Sequence, residues 1–218
     1  MVLYFISGLG ADERAFRYIK LSGAETRFIQ WIPPKKKELL NEYATRLLNQ
    51  IDTSQSFTLI GLSFGGIVAQ ELASMFRCER LILISSVKHP QELSPALQLI
   101  RHSGLYHLFP FRWVKPIFSK VAPYWFGALS KRHRALLKVT IDETNNEFAE
   151  WAIKTVMRWK GSSAETTTHH LHGTLDRIFP AHYLQNYVAV KGGGHFMIVT
   201  HAKQISQLLQ KYLKLEVS

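Results

Sequence analysis

Short apolar segments alternate along the chain with segments whose apolar residues recur at helical spacing. Six segments have the length and composition of strands: Val2–Ser7, Arg27–Ile32, Phe57–Leu62, Arg80–Ser86, Thr167–Leu171 and Tyr187–Val190. Helical patterns lie between or after them, at 39–51, 67–73 and 199–212, and Asp12 stands where it could cap a further helix. Strands that alternate with helices predict an α/β protein with a doubly wound, mainly parallel, six-stranded sheet.

The alternation is interrupted once, between the fourth and fifth strand segments. Residues 87–163 contain no strand pattern and are rich in aromatic residues, and Phe148–Trp159 has the apolar spacing of a helix. We expect most of these aromatic side chains to pack on the core and some to line a pocket. The predicted organisation is therefore a core of residues 1–86 and 164–218, with a helical segment of residues 87–163 inserted into it.

The third strand segment runs directly into a helical pattern through the sequence Gly61-Leu62-Ser63-Phe64-Gly65-Gly66. A strand that turns at once into a helix leaves little room beside the turn, and the glycines relieve that crowding. The central Ser63 would then be held in a strained backbone conformation, with its hydroxyl exposed above the sheet edge. The alternative is a tight packing turn in which Ser63 only caps the helix.

This strand–turn–helix segment resembles the nucleophile elbow of the α/β-hydrolase family. The resemblance extends over nearly the whole chain, because Ser, Asp and His follow in the order that the family uses. His172-Gly173-Thr174-Leu175-Asp176-Arg177-Ile178-Phe179-Pro180 resembles the family's acid loop, and Gly193-Gly194-His195-Phe196 resembles its histidine loop. The fourth strand ends in Ser85-Ser86-Val87-Lys88 without a carboxylate, so Asp176 is the preferred acid. The resemblance implies that Ser63, His195 and Asp176 form a catalytic triad.

The resemblance also implies an oxyanion hole, a lid and a strand order. The oxyanion donors would be the backbone N–H groups of Leu9 and Phe64, although this chain has Ser7-Gly8 where many members have His-Gly. The family inserts its lid where residues 87–163 lie. It usually begins with two additional strands, whereas this chain begins on the strand that carries the oxyanion loop. The six remaining strands would take the order 2-1-3-4-5-6, with the site at the switch point beside strands one and three.

The expected function is that of a serine hydrolase acting on a small carboxylic ester or thioester with an apolar part. A lyase or carbon–carbon hydrolase that uses the same triad is an alternative, as is a non-catalytic ligand receptor on the same fold. We expect no cofactor and no metal. His169, His170 and His172 form the densest histidine cluster, but alternate residues of a strand point to opposite faces, and no Cys or carboxylate completes a ligand set.

Charge and cysteine content limit the partners. The formal net charge is +11, of which +7 falls on residues 88–163. This distribution indicates no specific nucleic-acid motif, and a weak contact with a membrane surface is compatible with it.

The single cysteine, Cys78, cannot form an internal disulfide, so a reducing, cytoplasmic location is expected. No segment has the length and apolar character of a transmembrane helix or a signal peptide. The oligomeric state cannot be predicted.

Overall fold

A computed structural model of the chain describes residues 1–108, 110–128 and 130–215. One sheet contains six strands: β1 (Val2–Ile6), β2 (Glu25–Ile29), β3 (Phe57–Leu62), β4 (Arg80–Ile84), β5 (Thr168–Gly173) and β6 (Val188–Val190). Their order is β2-β1-β3-β4-β5-β6, and every neighbouring pair is parallel. The predicted six-stranded α/β architecture and its strand order are confirmed.

The α-helices of the described residues are α1 (Leu40–Leu47), α2 (Phe64–Met75), α3 (Pro95–Ser103), α4 (Phe111–Phe126), α5 (Lys131–Glu143), α6 (Asn146–Arg158), α7 (Met197–Thr200) and α8 (Ala202–Leu213). Short 3-10 turns span Glu13–Phe16, Leu48–Gln50, Pro90–Glu92, Leu105–His107 and Ala181–Tyr183. In the part of the chain that the structure describes, no helix combines the length and apolar character needed to cross a lipid bilayer.

Both faces of the sheet are buried, which explains why the central strands are apolar at nearly every position. On β1, Tyr4 and Ile6 pack in a cluster that includes residues of α1 and α2. Leu3 and Phe5 point the other way, into a cluster that includes α7 and α8. The alternation of side chains along one strand therefore supplies two separate cores, one on each face of the sheet.

Helices α3 to α6 lie between β4 and β5, within the predicted insertion. Helix α6 packs on the main core, where Phe148 lies 6.3 Å from the Phe64 ring in an edge-on arrangement. Helices α4 and α5 enclose a smaller apolar cluster of their own, formed by Ala122, Ala128, Leu137 and Ile141. The insertion is thus anchored to the core by α6, while α4 and α5 pack mainly on each other.

The carboxyl ends of all six strands meet at one edge because the sheet is parallel. The strand order reverses beside β1 and β3, and in open α/β sheets ligands bind outside the carboxyl ends at such a point. The loops that follow β1, β3, β5 and β6 carry Leu9, Ser63, Asp176 and His195 respectively. The fold therefore directs these predicted site residues to a common edge.

Candidate active site

Ser63 occupies the single residue between β3 and α2, with a φ of 52° and a ψ of −118°. A positive φ is rare for a residue with a side chain and stores strain at the turn. Its backbone is held on both sides, because its N–H donates to the Ile84 carbonyl at 2.9 Å and its carbonyl accepts from the Ser86 hydroxyl at 2.8 Å. These bonds fix the orientation of the serine relative to β4.

The turn depends on a glycine at position 65. A Cβ at Gly65 would lie 2.2 Å from the Ser7 carbonyl oxygen and 2.3 Å from that of Ile6. These are backbone atoms of β1 and its loop, so they cannot move aside as a flexible side chain would. Gly65 therefore allows α2 to begin directly against β1.

We expect Gly65→Ala to lower the free energy of unfolding by about 3 kcal/mol or more, because the added methyl group forces α2 away from β1. Urea denaturation measures the change. Gly8→Ala is the matched control, since its Cβ would meet only ordinary contacts at 3.5 Å or beyond. Equal denaturation midpoints for the two variants would contradict this account of the turn.

His195 follows the glycine-rich turn after β6 and is buried. Its Nε2 lies 2.9 Å from the Ser63 Oγ. The imidazole is held edge-on between two rings, with centroid distances of 5.1 Å to Phe126 and 5.4 Å to Phe179. The next residue, Phe196, donates its N–H to the Phe126 carbonyl at 2.9 Å, so the histidine loop is bound to the end of α4.

Asp176 follows β5 and completes a hydrogen-bonded chain. Its Oδ2 accepts from His195 Nδ1 at 2.8 Å, and its Oδ1 accepts from the N–H groups of Ile178 and Phe179 at 2.8 and 2.9 Å. Burial alone would raise the pKa of Asp176, but the charge and hydrogen bond of His195, followed by the charge of His172, hold it below the ordinary value of 3.8. The carboxylate therefore stays ionised and leaves Nε2 of the imidazole free to accept from Ser63.

His172 is a second imidazole close to this carboxylate, and the sequence does not predict its position there. Its Nε2 donates to the Phe179 carbonyl at 2.8 Å and lies 3.3 Å from Asp176 Oδ2. The residue is fully buried on β5, so this contact joins the end of the strand to the loop that carries Asp176. No signal in the sequence predicts this contact, because the pattern of a strand does not show which loop folds over it.

The loop after β1 runs alongside Ser63. A Cβ at Gly8 would lie 3.5 Å from Ser63 Cβ. The Ser7 hydroxyl donates to the Ala11 carbonyl at 2.6 Å, and the Gly8 carbonyl accepts from the Ala11 N–H at 3.0 Å, so the loop closes as a turn. Leu9 lies within this turn.

The backbone N–H groups of Leu9 and Phe64 are both available at this edge. Phe64 is the first residue of α2, where an N–H has no partner within the helix. Neither N–H donates a hydrogen bond to another of the described residues. Both residues also line the cavity that contains Ser63 and His195.

A cavity of about 400 Å³ opens over the Ser63 hydroxyl. The sheet-edge loops form its floor, and α3 to α6 supply most of its walls. The wall residues are largely apolar: Leu97, Phe111, Val114, Phe118, Phe126, Leu136, Leu137, Val139, Ile141, Ile153, Val156 and Met157. Such a cavity favours the apolar part of a small molecule.

The three histidines of β5 lie on both faces of the strand. His169 stacks on Tyr212 with a centroid distance of 4.3 Å, whereas His170 and His172 contact each other on the opposite face at 5.2 Å. The expected alternation of faces is therefore confirmed. Among the described residues, no group of three His, Cys, Asp or Glu side chains is arranged to hold a metal ion.

His170 is buried as a neutral imidazole and donates from Nε2 to the Ser86 carbonyl at 3.1 Å. Burial, followed by the charges of His172 and Lys88, lowers its pKa to about 3. The unfolded chain binds a proton near the ordinary value of 6.5, so the stability that His170 contributes is complete above that pH. It is lost progressively as the pH falls from about 6.5 towards 3.

We therefore expect the free energy of unfolding to fall by about 1 kcal/mol per pH unit in this window on account of His170 alone. His170→Gln, which keeps a donor for the Ser86 carbonyl, should reduce the slope by that amount. Urea denaturation between pH 7 and pH 4 measures it. The difference should persist at about 1 M salt, because buried charges are screened weakly. An unchanged slope in the variant would refute the assignment.

The fold and the arrangement of these residues define an α/β hydrolase, and the chain belongs to this class. The sequence model described as "Alpha/beta hydrolase family" matches residues 5–208. No curated protein sequence matches the chain.

Solved structures show the same fold at low sequence identity. The bromoperoxidase from Bacillus anthracis superposes with a TM-score of 0.76 at 19% identity, over 98% of this chain and 91% of that one. A hydrolase from Oleispira antarctica gives 0.73 at 15% identity, over 99% and 92% of the two chains. The esterase from Exiguobacterium antarcticum gives 0.73 at 14% identity, over 98% and 92%.

Proposed function

We propose that the protein is a serine hydrolase that cleaves a carboxylic ester or thioester with an apolar acyl or alcohol part. The observation that carries the proposal is the continuous hydrogen-bonded chain from Asp176 through His195 to the Ser63 hydroxyl, at the wall of an apolar cavity. A serine hydroxyl is too weakly acidic to attack an ester unaided, and needs a base together with a group that orients the base.

In the proposed acylation step, Ser63 Oγ attacks the acyl carbon while His195 Nε2 takes the hydroxyl proton. Asp176 remains ionised and stabilises the imidazolium, which agrees with its lowered pKa. The tetrahedral intermediate collapses as the bond to the alcohol or thiol breaks, and His195 gives its proton to that leaving group. Water, deprotonated by His195, then attacks the acyl-enzyme. The bond between the acyl carbon and Ser63 Oγ breaks as His195 returns its proton to that oxygen, and the acid is released.

The developing oxyanion needs donors that are aimed before the reaction begins. The N–H groups of Leu9 and Phe64 take this role, and each such donor contributes roughly 3–4 kcal/mol in enzymes where it has been removed. Because Phe64 is the first residue of α2, the positive end of the helix dipole also stabilises the negative charge of the oxyanion. In this proposal, residues 87–163 act as a lid, since α3 to α6 supply the apolar walls over the serine.

A series of chromogenic esters of increasing acyl length tests the proposal. We expect kcat/KM to rise with chain length until the acyl group fills the cavity, and then to fall. Leu97→Trp narrows the cavity from α3 and should move the optimum to a shorter chain. Leu99→Trp, at an exposed position of the same helix outside the cavity lining, is the matched control and should leave the optimum unchanged.

The outcome separates this function from its alternatives. Tight binding of esters without turnover would indicate a ligand receptor rather than an enzyme. Turnover of carbon–carbon substrates together with inert esters would indicate a lyase or carbon–carbon hydrolase. Either result, obtained with the corresponding thioesters as well as with the esters, would refute ester or thioester hydrolysis while leaving the fold assignment in place.

A further inference from the structure

Helix α4 presents an apolar stripe to solvent. Trp113, Ile117, Val121 and Tyr124 follow each other at intervals of four, four and three residues, which places them on one side of the helix. Their exposed fractions are 66%, 67%, 43% and 61%. A contiguous exposed apolar patch of this kind marks a binding surface more often than an accident of composition. We call these four residues the α4 stripe.

Cations lie directly against the α4 stripe. The Arg112 guanidinium lies 5.6 Å from the Trp113 ring centroid, and the Arg177 guanidinium lies 4.1 Å from that of Tyr124. Arg177 also donates to the Tyr124 carbonyl at 2.8 Å, which fixes it at the end of the stripe. Lys120 lies between Trp113 and Tyr124 on α4, and its side chain is exposed.

Positive charge predominates around the stripe. Residues 110–143, which include α4 and α5, contain seven Lys and Arg residues and two acidic residues, Asp142 and Glu143, whose side chains pair with Lys138 and Arg14 respectively. Within the described residues, Lys138 is the one of these seven that pairs with a carboxylate, that of Asp142. The remaining cations produce a positive electrostatic potential around an apolar stripe. A complementary partner is therefore anionic and also accepts apolar side chains.

We propose that the α4 stripe docks the protein on the surface of an anionic lipid bilayer. Trp and Tyr side chains favour the boundary between headgroups and acyl chains, because one part of each ring system is apolar and the other polar. An amphipathic helix flanked by Lys and Arg binds such a surface through buried apolar area and attraction to anionic lipids. Self-association of two copies fits less well, since a two-fold contact would bring the same cations together.

The stripe adjoins the open side of the cavity. Val114 on α4 and Val139 on α5 both line the cavity, yet they are 37% and 44% exposed. Docking through α4 would therefore bring the open side of the cavity close to the lipid. This step rests on the proposed function and identifies the substrate class as a lipophilic ester that enters from the membrane. The docking itself does not depend on Ser63.

Vesicle flotation tests the docking with the Ser63→Ala protein, which keeps the surface but not the proposed nucleophile. The probes are vesicles of phosphatidylcholine alone and vesicles with about one third phosphatidylserine. We expect binding to the anionic vesicles to exceed binding to the neutral ones and to weaken between about 0.1 M and about 1 M salt. Trp113→Ser/Ile117→Ser should lower the bound fraction at least about ten-fold. Lys120→Gln should weaken the partition coefficient about five-fold.

Matched controls are Phe76→Ser, an exposed apolar residue at the end of α2, and Lys203→Gln, an exposed cation on α8. Both should bind as the parent protein does. With Ser63 present, the Trp113→Ser/Ile117→Ser variant should still turn over a dissolved short-chain ester. Absent binding, or equal binding by the stripe and control variants, would overturn docking even if esterase activity were present. A dimer that dissociates when the stripe is changed, without vesicle binding, would overturn it in favour of self-association.

Discussion

Ser63→Ala is expected to lower kcat towards a chromogenic ester by about 10⁴- to 10⁶-fold, because it removes the hydroxyl that we propose forms the acyl-enzyme. Covalent labelling by a fluorophosphonate should be lost together with turnover. The two measurements are complementary, since labelling reports the nucleophile and kcat reports the complete cycle. KM or ligand affinity should change little, because the cavity walls are unaltered.

Ser85→Ala is the matched control for this experiment. Ser85 also follows a parallel strand and also has a positive φ, of 48°. Its hydroxyl is buried and has no hydrogen-bond partner among the described residues, so its removal should cost little stability. The control should keep full labelling and turnover. Persistent labelling of the Ser63→Ala protein would exclude Ser63 as the nucleophile.

Asp176→Asn is expected to lower kcat by about 10⁴-fold while the fold is retained. The Asn side-chain oxygen can still accept from the N–H groups of Ile178 and Phe179. Its NH₂ group, however, would face His195 Nδ1 and favour the tautomer that carries the proton on Nε2. That tautomer cannot accept the proton of Ser63, so the base is present but wrongly protonated.

Single-turnover kinetics distinguish this effect from a loss of binding, because acylation should slow while ester affinity is unchanged. Asp142→Asn, the same change at an exposed carboxylate of α5, should retain wild-type kcat. If Asp176→Asn retained acylation within about ten-fold of wild type, the orienting role of Asp176 would be wrong.

The sheet was predictable because its central strands are buried on both faces and are therefore apolar throughout. The predicted ends differ from the observed ones where local geometry overrides composition. The predicted strand Arg80–Ser86 ends at Ile84, because Ser85 takes a positive φ and leaves the sheet. The edge strand β2 spans Glu25–Ile29 rather than Arg27–Ile32, since its pairing with β1 begins opposite Val2 and most of its side chains are exposed.

The positions of the three proposed catalytic residues could be proposed from sequence because each lies in a loop with its own glycine or strand signal. His172 could not, since a histidine within a strand pattern carries no sign of which loop folds over it. The sequence does not predict α4 as a helix either, because Pro116 and Pro123 interrupt its pattern. The contacts of these elements arise from tertiary packing and leave little trace in local sequence.

The carboxyl end of α4 is joined to the rest of the molecule at two places. Arg177, the neighbour of Asp176, bonds to the Tyr124 carbonyl, and Phe196, the neighbour of His195, bonds to the Phe126 carbonyl. A movement of α4 that preserves both hydrogen bonds must therefore be a rotation about its carboxyl end. The entrance of the cavity would then widen at the Phe111 end, while Asp176 and His195 beside the pivot keep their alignment.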